Sequence, residues 1–416
     1  MPILNSKFLT QLFIEHTIPN PSSSLDMLPI TNNVFRGVNG VVQKVPAVMP
    51  NELGPNEVLV RITHSGLCGT DIHYIGHGAA LGHEGVGLVE SIGSAVTTLN
   101  VGDRVGGGYL RSRYGATDET SMERVASTPA HLVTYLIGVE TFLYKIPDGL
   151  ESRYAAPLQC AGATVYSSLV ANMKPGARVG ILGIGGLGHL AIQFSAKLGA
   201  ETIVFSTNKS KESEARSFGA SEFYLLDDAV TISKPVDLLL VTGTQHPEWE
   251  KFMVKNIIAR NGTIISLGVP NGPIELPGLS MIFNGYKFGS SLVASRQVHN
   301  DMLKFAAQHN IKPVIEEFDM TAEGFSQAVD KLNAGTIRYR GVLVAAEKQE
   351  KHNFVSKWGL APGDDDDNLP RDEEDDGKQQ YMSEQMLKLF HDLEVAVQLS
   401  KKSAKAVENV FGSSRK

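Results

Sequence analysis

The sequence predicts an α/β chain of two domains, a β-rich one followed by a doubly wound parallel sheet. Three observations carry this reading. The chain has 416 residues, enough for two hydrophobic cores. From Val34 to Leu150, short apolar runs are broken by Gly, Pro, Asn and Asp. From about Arg153 the rhythm becomes strand, glycine turn, helix, and it repeats.

Taken in order, residues 1–33 show no clear period, and Pro19-Asn20-Pro21-Ser22-Ser23-Ser24 reads as a flexible extension. Between 34 and 153, segments such as Glu57-Val58-Leu59-Val60-Arg61-Ile62 and Gly87-Leu88-Val89-Glu90-Ser91-Ile92 read as strands joined by long loops. Between 154 and 290, Val179-Gly180-Ile181-Leu182 is a short buried strand. Leu187, Leu190, Ala191, Phe194 and Leu198 then fall on one helical face, and Gly199 is placed to end that helix. Further strands are expected over 202–205, 238–242 and 263–267, with a polar helix running to Phe218. This alternation implies a parallel sheet. A helix over 302–309 and short strands ending at Val342-Leu343-Val344 close the folded part. Over 347–416 the composition shifts to an acidic tail that reads as partly disordered. Within it, Met386, Leu389, Phe390, Leu393 and Val397 form the stripe of an amphipathic helix.

Charge and composition exclude several classes. The stretch 364–376 holds nine acids and one arginine, so the net charge of −7 belongs to it and the rest is near neutral. No basic field suggests nucleic acid. No apolar run reaches the roughly 18 residues of a membrane span. Residues 1–16 lack a basic segment followed by an apolar core, so a cytoplasmic location is expected. The two cysteines, Cys68 and Cys160, form no disulfide framework and are candidates for metal ligands or nucleophiles.

Gly183-Ile184-Gly185-Gly186-Leu187-Gly188 fits the pattern G-x-G-x-x-G between a strand and a helix. In that setting Gly183, Gly185, Gly186, Leu187 and Gly188 form a loop whose backbone can approach a pyrophosphate at a helix N-terminus. The next strand ends in Ser206-Thr207-Asn208-Lys209-Ser210-Lys211, with no carboxylate before Glu212. An acid there would hold the ribose 2′-hydroxyl of NAD. Hydroxyls and lysines, with Ser206, Thr207 and Lys211 foremost, suit the 2′-phosphate of NADP(H) better. The plainer alternative is that Lys209 and Lys211 solvate the following helix.

Cys68 stands in Cys68-Gly69-Thr70-Asp71-Ile72-His73, His83 in Gly82-His83-Glu84, and Cys160 in Pro157-Leu158-Gln159-Cys160-Ala161-Gly162. Two thiolates and an imidazole make a three-ligand zinc set with an open position. Spacing alone does not decide it, because a buried Cys is usually a small hydrophobe and a single His usually structural.

With these motifs in view, the sequence resembles the zinc-containing medium-chain dehydrogenases, nearest the cinnamyl-alcohol-dehydrogenase-like branch. The resemblance covers 34–345 and includes Gly87, Gly93 and Val96, Gly102-Asp103-Arg104-Val105, and Thr336-Ile337-Arg338-Tyr339-Arg340-Gly341. It implies a discontinuous GroES-like catalytic domain (34–153 with 291–346) around a Rossmann domain (154–290). It also implies one catalytic zinc on Cys68, His83 and Cys160, with Glu84 as an occasional fourth ligand and Asp71 orienting His83. Thr70 would bridge substrate to a proton relay ending at His73. Thr164 would border the nicotinamide, and Arg340, rather than Arg338, would reach the pyrophosphate. The activity implied is hydride transfer between NADP(H) and a small primary alcohol/aldehyde pair, with aldehyde reduction favoured in a reducing cytosol. The family suggests a homodimer formed through the strand near Ser290–Ala294.

The chain departs from the pattern in three places, one being that the stretches before Val34 and after Val344 have no counterpart in the family. The cysteine cluster that often holds a structural zinc is missing from 106–132, so no such zinc is expected. The segment between His73 and Gly82 is short, and His77 within it reads as an exposed loop residue. Two other readings keep the fold: a zinc-free NADPH-dependent quinone or enoyl reductase, and a non-catalytic dinucleotide-binding homologue.

Overall fold

The first described element is a hairpin made by β1 (Asn32–Val38) and β2 (Val41–Ala47). Asn39 and Gly40 both adopt positive φ at its tip, the backbone that a two-residue hairpin turn demands and that Asn-Gly provides. The structure, a computed structural model, describes residues 32–346 except Val48, Asn51, His77, Ala79, 109–131, 227–230 and Asn271. The flexible extension, the acidic tail with its amphipathic stripe, and His77 lie outside the described residues.

The β-rich part is a seven-stranded sheet. It comprises β3 (Glu57–Leu67), β4 (Gly85–Ile92), β5 (Arg104–Gly107), β6 (Tyr135–Val139) and β7 (Leu143–Lys145). Its core is drawn from inward-facing positions such as Val58, Val60, Ile62, Val89, Val105 and Leu136. The last two strands, β14 (Ile315–Asp319) and β15 (Arg340–Val344), come from the far end of the described chain. The order is β14-β15-β3-β4-β5-β7, with β6 also on β3. β15 runs antiparallel to β3 with Gly341 opposite Leu67, which sets Arg340 beside the end of β3 where Cys68 begins the next turn.

The second sheet has six strands, all parallel: β8 (Arg178–Leu182), β9 (Glu201–Ser206), β10 (Glu222–Leu225), β11 (Val236–Val241), β12 (Ile258–Ser266) and β13 (Lys287–Ser290). Their order, β10-β9-β8-β11-β12-β13, is that of a dinucleotide-binding doubly wound sheet. The order in which successive strands are added reverses between β8 and β11, and the crevice at their carboxyl ends is where such sheets take ligands. β8 is buried throughout because helices cover both faces, which explains its unbroken apolar run. Leu190, Ala191 and Phe194 of the helix Gly188–Lys197 are fully buried, and Gly199 caps that helix at φ 86°.

Candidate active site

Cys68 lies at the end of β3 and caps the short helix Gly69–Ile75. Asp71, in its first turn, is buried and holds three groups together. One carboxylate oxygen accepts from the Cys68 backbone N–H at 2.9 Å; the other accepts from Gly82 N–H at 2.9 Å and from His83 Nδ1 at 3.1 Å. The loops carrying Cys68 and His83 are therefore fixed to one carboxylate, which engages the imidazole at Nδ1. Cys160 arrives from elsewhere, on a π-helical turn over Leu158–Gly162. One donor atom from each of Cys68, His83, Glu84 and Cys160 lies within 4.8 Å of the others.

The four-residue group is almost wholly enclosed, with His83, Glu84 and Cys160 buried and Cys68 half-buried. Burial raises the carboxyl of Glu84 to about 7, opposed by the guanidinium of Arg340. Arg340 Nη2 meets both carboxylate oxygens, at 2.5 and 2.6 Å. The Cys68 thiol is held well below its ordinary range by hydrogen bonding from Cys160, and Cys160 is correspondingly raised. Burial works against charge on His83, yet Asp71 and Cys68 raise it well above the usual imidazole range. Two neighbouring thiols, an imidazole anchored at Nδ1 and a carboxylate make a donor set that suits zinc in chemistry and number. Gly66 is required here, because a Cβ at that position would stand 1.9 Å from Glu84 Oε2.

Thr70 and His73 lie three residues apart on the helix Gly69–Ile75, and so on one face. Thr70 Oγ1 is 3.7 Å from Cys68 Sγ, while His73 is exposed. Thr164 is buried, and its hydroxyl accepts from Val293 N–H at 3.0 Å, tying the helix Ala163–Asn172 to the segment after β13.

In the glycine loop each position has a separate constraint. Gly183 adopts φ 99°. A Cβ on Gly188 would sit 2.1 Å from the Gly183 carbonyl, whereas one on Gly185 would meet nothing within 4 Å. Gly186 faces Arg340, whose Cδ and Nη1 lie 3.1 Å from where its Cβ would be. Leu187 caps the helix that follows. Arg340 thus stands between the glycine loop and Glu84, and its Nε is buried without a hydrogen-bond partner among the described residues. At the end of β9, Ser206 is buried and exchanges hydrogen bonds with Asn208, and Thr207 is exposed. Lys209 pairs with Glu212 in solvent, but Lys211 reaches back to the Ile184 carbonyl at 2.9 Å. Arg338 is exposed and paired with Glu214.

Two buried histidines escaped the sequence reading. His189 stacks on Tyr339 at 4.9 Å, with Nδ1 3.0 Å from the Gly185 carbonyl and Nε2 accepting from Val314 N–H at 3.1 Å. His299 bonds Gln159, the neighbour of Cys160. Burial pushes both down to about 3, so both are neutral. Neither falls in a motif, and each has a partner more than a hundred residues away in the chain, Val314 for His189 and Gln159 for His299.

With this geometry in place, comparison with known proteins places the chain. Residues 54–148 match the alcohol dehydrogenase GroES-like domain, and residues 186–308 match the zinc-binding dehydrogenase domain. A probable formaldehyde dehydrogenase of Bacillus subtilis is 34% identical over 320 residues, covering 70% of this chain and 90% of the relative. The chain belongs to the zinc-binding, medium-chain alcohol dehydrogenase family. It is an oxidoreductase of the alcohol dehydrogenase type. An NADP-dependent alcohol dehydrogenase of Mycolicibacterium smegmatis is 30% identical over 324 residues, 71% of this chain and 92% of that one. Among solved structures, a cinnamyl alcohol dehydrogenase from Sorghum bicolor superposes with a TM-score of 0.68 at 26% identity, covering 76% of this chain and 98% of that chain. The resemblance stated from the motifs and the fold class agree with these matches. No helix among the described residues is long and apolar enough to cross a membrane.

Proposed function

We propose that this family member is a zinc- and NADP(H)-dependent alcohol dehydrogenase that acts on a small primary alcohol/aldehyde pair, chiefly as an aldehyde reductase. The gathering of Cys68, His83, Glu84 and Cys160 into one buried donor group carries the reading. Zinc, when bound, supplies Lewis acidity toward an alcohol or carbonyl oxygen, and the nicotinamide supplies or accepts the hydride. Cys68, His83 and Cys160 would hold the metal, with Glu84 in reserve while Arg340 engages it. Asp71 fixes the ring of His83. Thr70 would exchange a proton with the substrate oxygen, and His73, exposed on the same face, would pass it to solvent. Gly183 to Gly188 would cradle the pyrophosphate together with Arg340, whose unpartnered Nε is a spare donor for an anion. Thr164 would border the nicotinamide. Ser206, Thr207 and Lys211, with no carboxylate nearer than Glu212, favour NADP(H). The donor set counts against a zinc-free reductase. In this reading 34–153 with 291–346 is the catalytic domain and 154–290 binds the cofactor. The cytoplasm is the proposed compartment, and a homodimer would form through the strand near Ser290–Ala294, where β13 is an edge of its sheet.

The deciding test is zinc per chain in purified protein, together with NADPH oxidation across a panel of aldehydes. One zinc and aldehyde-dependent oxidation are expected. Metal-free protein after expression with ample zinc, or no turnover despite tight NADPH binding, would overturn the proposal.

Two smaller effects follow. Asp71→Asn removes the charge that anchors His83 and is expected to weaken zinc about 10–100-fold, read by chelator competition, with NADPH affinity unchanged. Gly185→Ala and Gly188→Ala should part company. The first adds a methyl in open space, so its thermal midpoint should hold while NADPH affinity drops on the order of tenfold, about 1.4 kcal/mol. The second collides with the Gly183 carbonyl and should lose about 1–3 kcal/mol of stability. Equal behaviour of the two would contradict the assignment of the loop.

A further inference from the structure

We infer that Gln159 and His299 form a positioning pair that holds the π-helical turn Leu158–Gly162 and, through it, the sulfur of Cys160. The inference rests on the zinc reading above. A π turn is rare, and where one occurs it tends to mark a functional position. Here the Ala163 N–H is shared between the Cys160 and Leu158 carbonyls, so the turn has a wide, divided closing bond.

Its shape is fixed from outside. The Gln159 amide is fully buried; its Nε2 donates to the Ala155 carbonyl at 3.0 Å and its Oε1 accepts from His299 Nε2 at 3.0 Å. His299 comes from the helix Arg296–Gln308, 140 residues away in sequence. Tyr144 of β7 lies flat on its ring, with centroids 3.8 Å apart and planes 6° apart. Burial keeps that imidazole neutral, so one ring nitrogen carries a proton and can serve as the donor to Gln159.

The opposing strand has been cleared for this pair. A Cβ on Gly106 of β5 would stand 2.5 Å from Gln159 Cδ. One on Gly108 would stand 2.6 Å from the Gln159 carbonyl and 3.3 Å from His299 Cε1. Packing alone would be met by an apolar residue at 159. A buried amide with both ends engaged instead fixes one orientation, and a fully satisfied buried network rigidifies what it joins. What it joins is the residue next to Cys160.

The test is the double variant Gln159→Met/His299→Phe, which leaves neither member of the pair as a buried unpaired group, read beside Gln159→Met alone. Zinc affinity is measured by chelator competition, and cobalt-substituted protein reports thiolate coordination through its charge-transfer absorption. In the folded double variant, zinc affinity is expected to fall about 10–100-fold, the cobalt band to weaken, and NADPH affinity to stay at the wild-type value. Wild-type zinc affinity and an unchanged cobalt band in either folded variant overturn the pair's role. Wild-type protein that takes neither zinc nor cobalt overturns the zinc reading itself, a distinct result.

Discussion

Cys160→Ser is expected to leave purified protein with little zinc and to abolish NADPH-dependent aldehyde reduction. A thiol ionises within reach of neutral pH, and a serine hydroxyl does not, so the substitution removes a charged soft ligand. A residue that merely supports a zinc ligand costs about 10–100-fold when removed. Loss of a ligand should exceed that range. The change is small in volume, and Cys160 lies away from the glycine loop in sequence, so NADPH affinity and the circular dichroism spectrum should be preserved. Full zinc occupancy with normal turnover in this variant would mean that the thiol is a small core residue, the plain alternative for a buried cysteine. Cys68→Ser provides an independent arm at the other thiol.

What could be read from the chain, and what could not, follows the range of the forces involved. The loop Gly183–Gly188 was legible because its glycines answer local demands: a positive φ at Gly183 and a close approach at Gly188. Val179–Leu182 and the helix behind it were legible because burial on two faces and on one face leave different periods. β14 was expected only as one of the short strands before Val344 and could not be placed, since its five residues include Glu316, Glu317 and Asp319 and show little apolar pattern. The site was legible as motifs but not as contacts. Cys68, His83 and Cys160 were each marked by their surroundings, yet the bond between Glu84 and Arg340 spans 256 residues and depends on β15 pairing with β3. From the motif, Arg340 was expected only at the cofactor pyrophosphate; its guanidinium lies on Glu84 with its flank against Gly186. Gln159 and His299 are invisible for the same reason, as neither stands out until the fold joins them.

The Glu84–Arg340 pair gives the largest stability effect to be expected. Arg340→Met should lower stability by about 3–5 kcal/mol, read as a shift of the urea midpoint, because it leaves a fully buried carboxyl group without its partner. Glu84 cannot swing out to water, since β3 closes over it so tightly that Gly66 has no room for a methyl. If the loss comes from that unpaired group, replacing the carboxyl should restore much of it. The double variant Glu84→Gln/Arg340→Met is therefore expected to recover more than half of the midpoint shift, and losses that simply add would show that the two groups are not coupled. Arg340 also flanks Gly186, so the two duties proposed for it separate in the same pair of proteins. Stability should return in the double variant while NADPH affinity stays low, because the missing guanidinium still leaves the pyrophosphate without its charged donor.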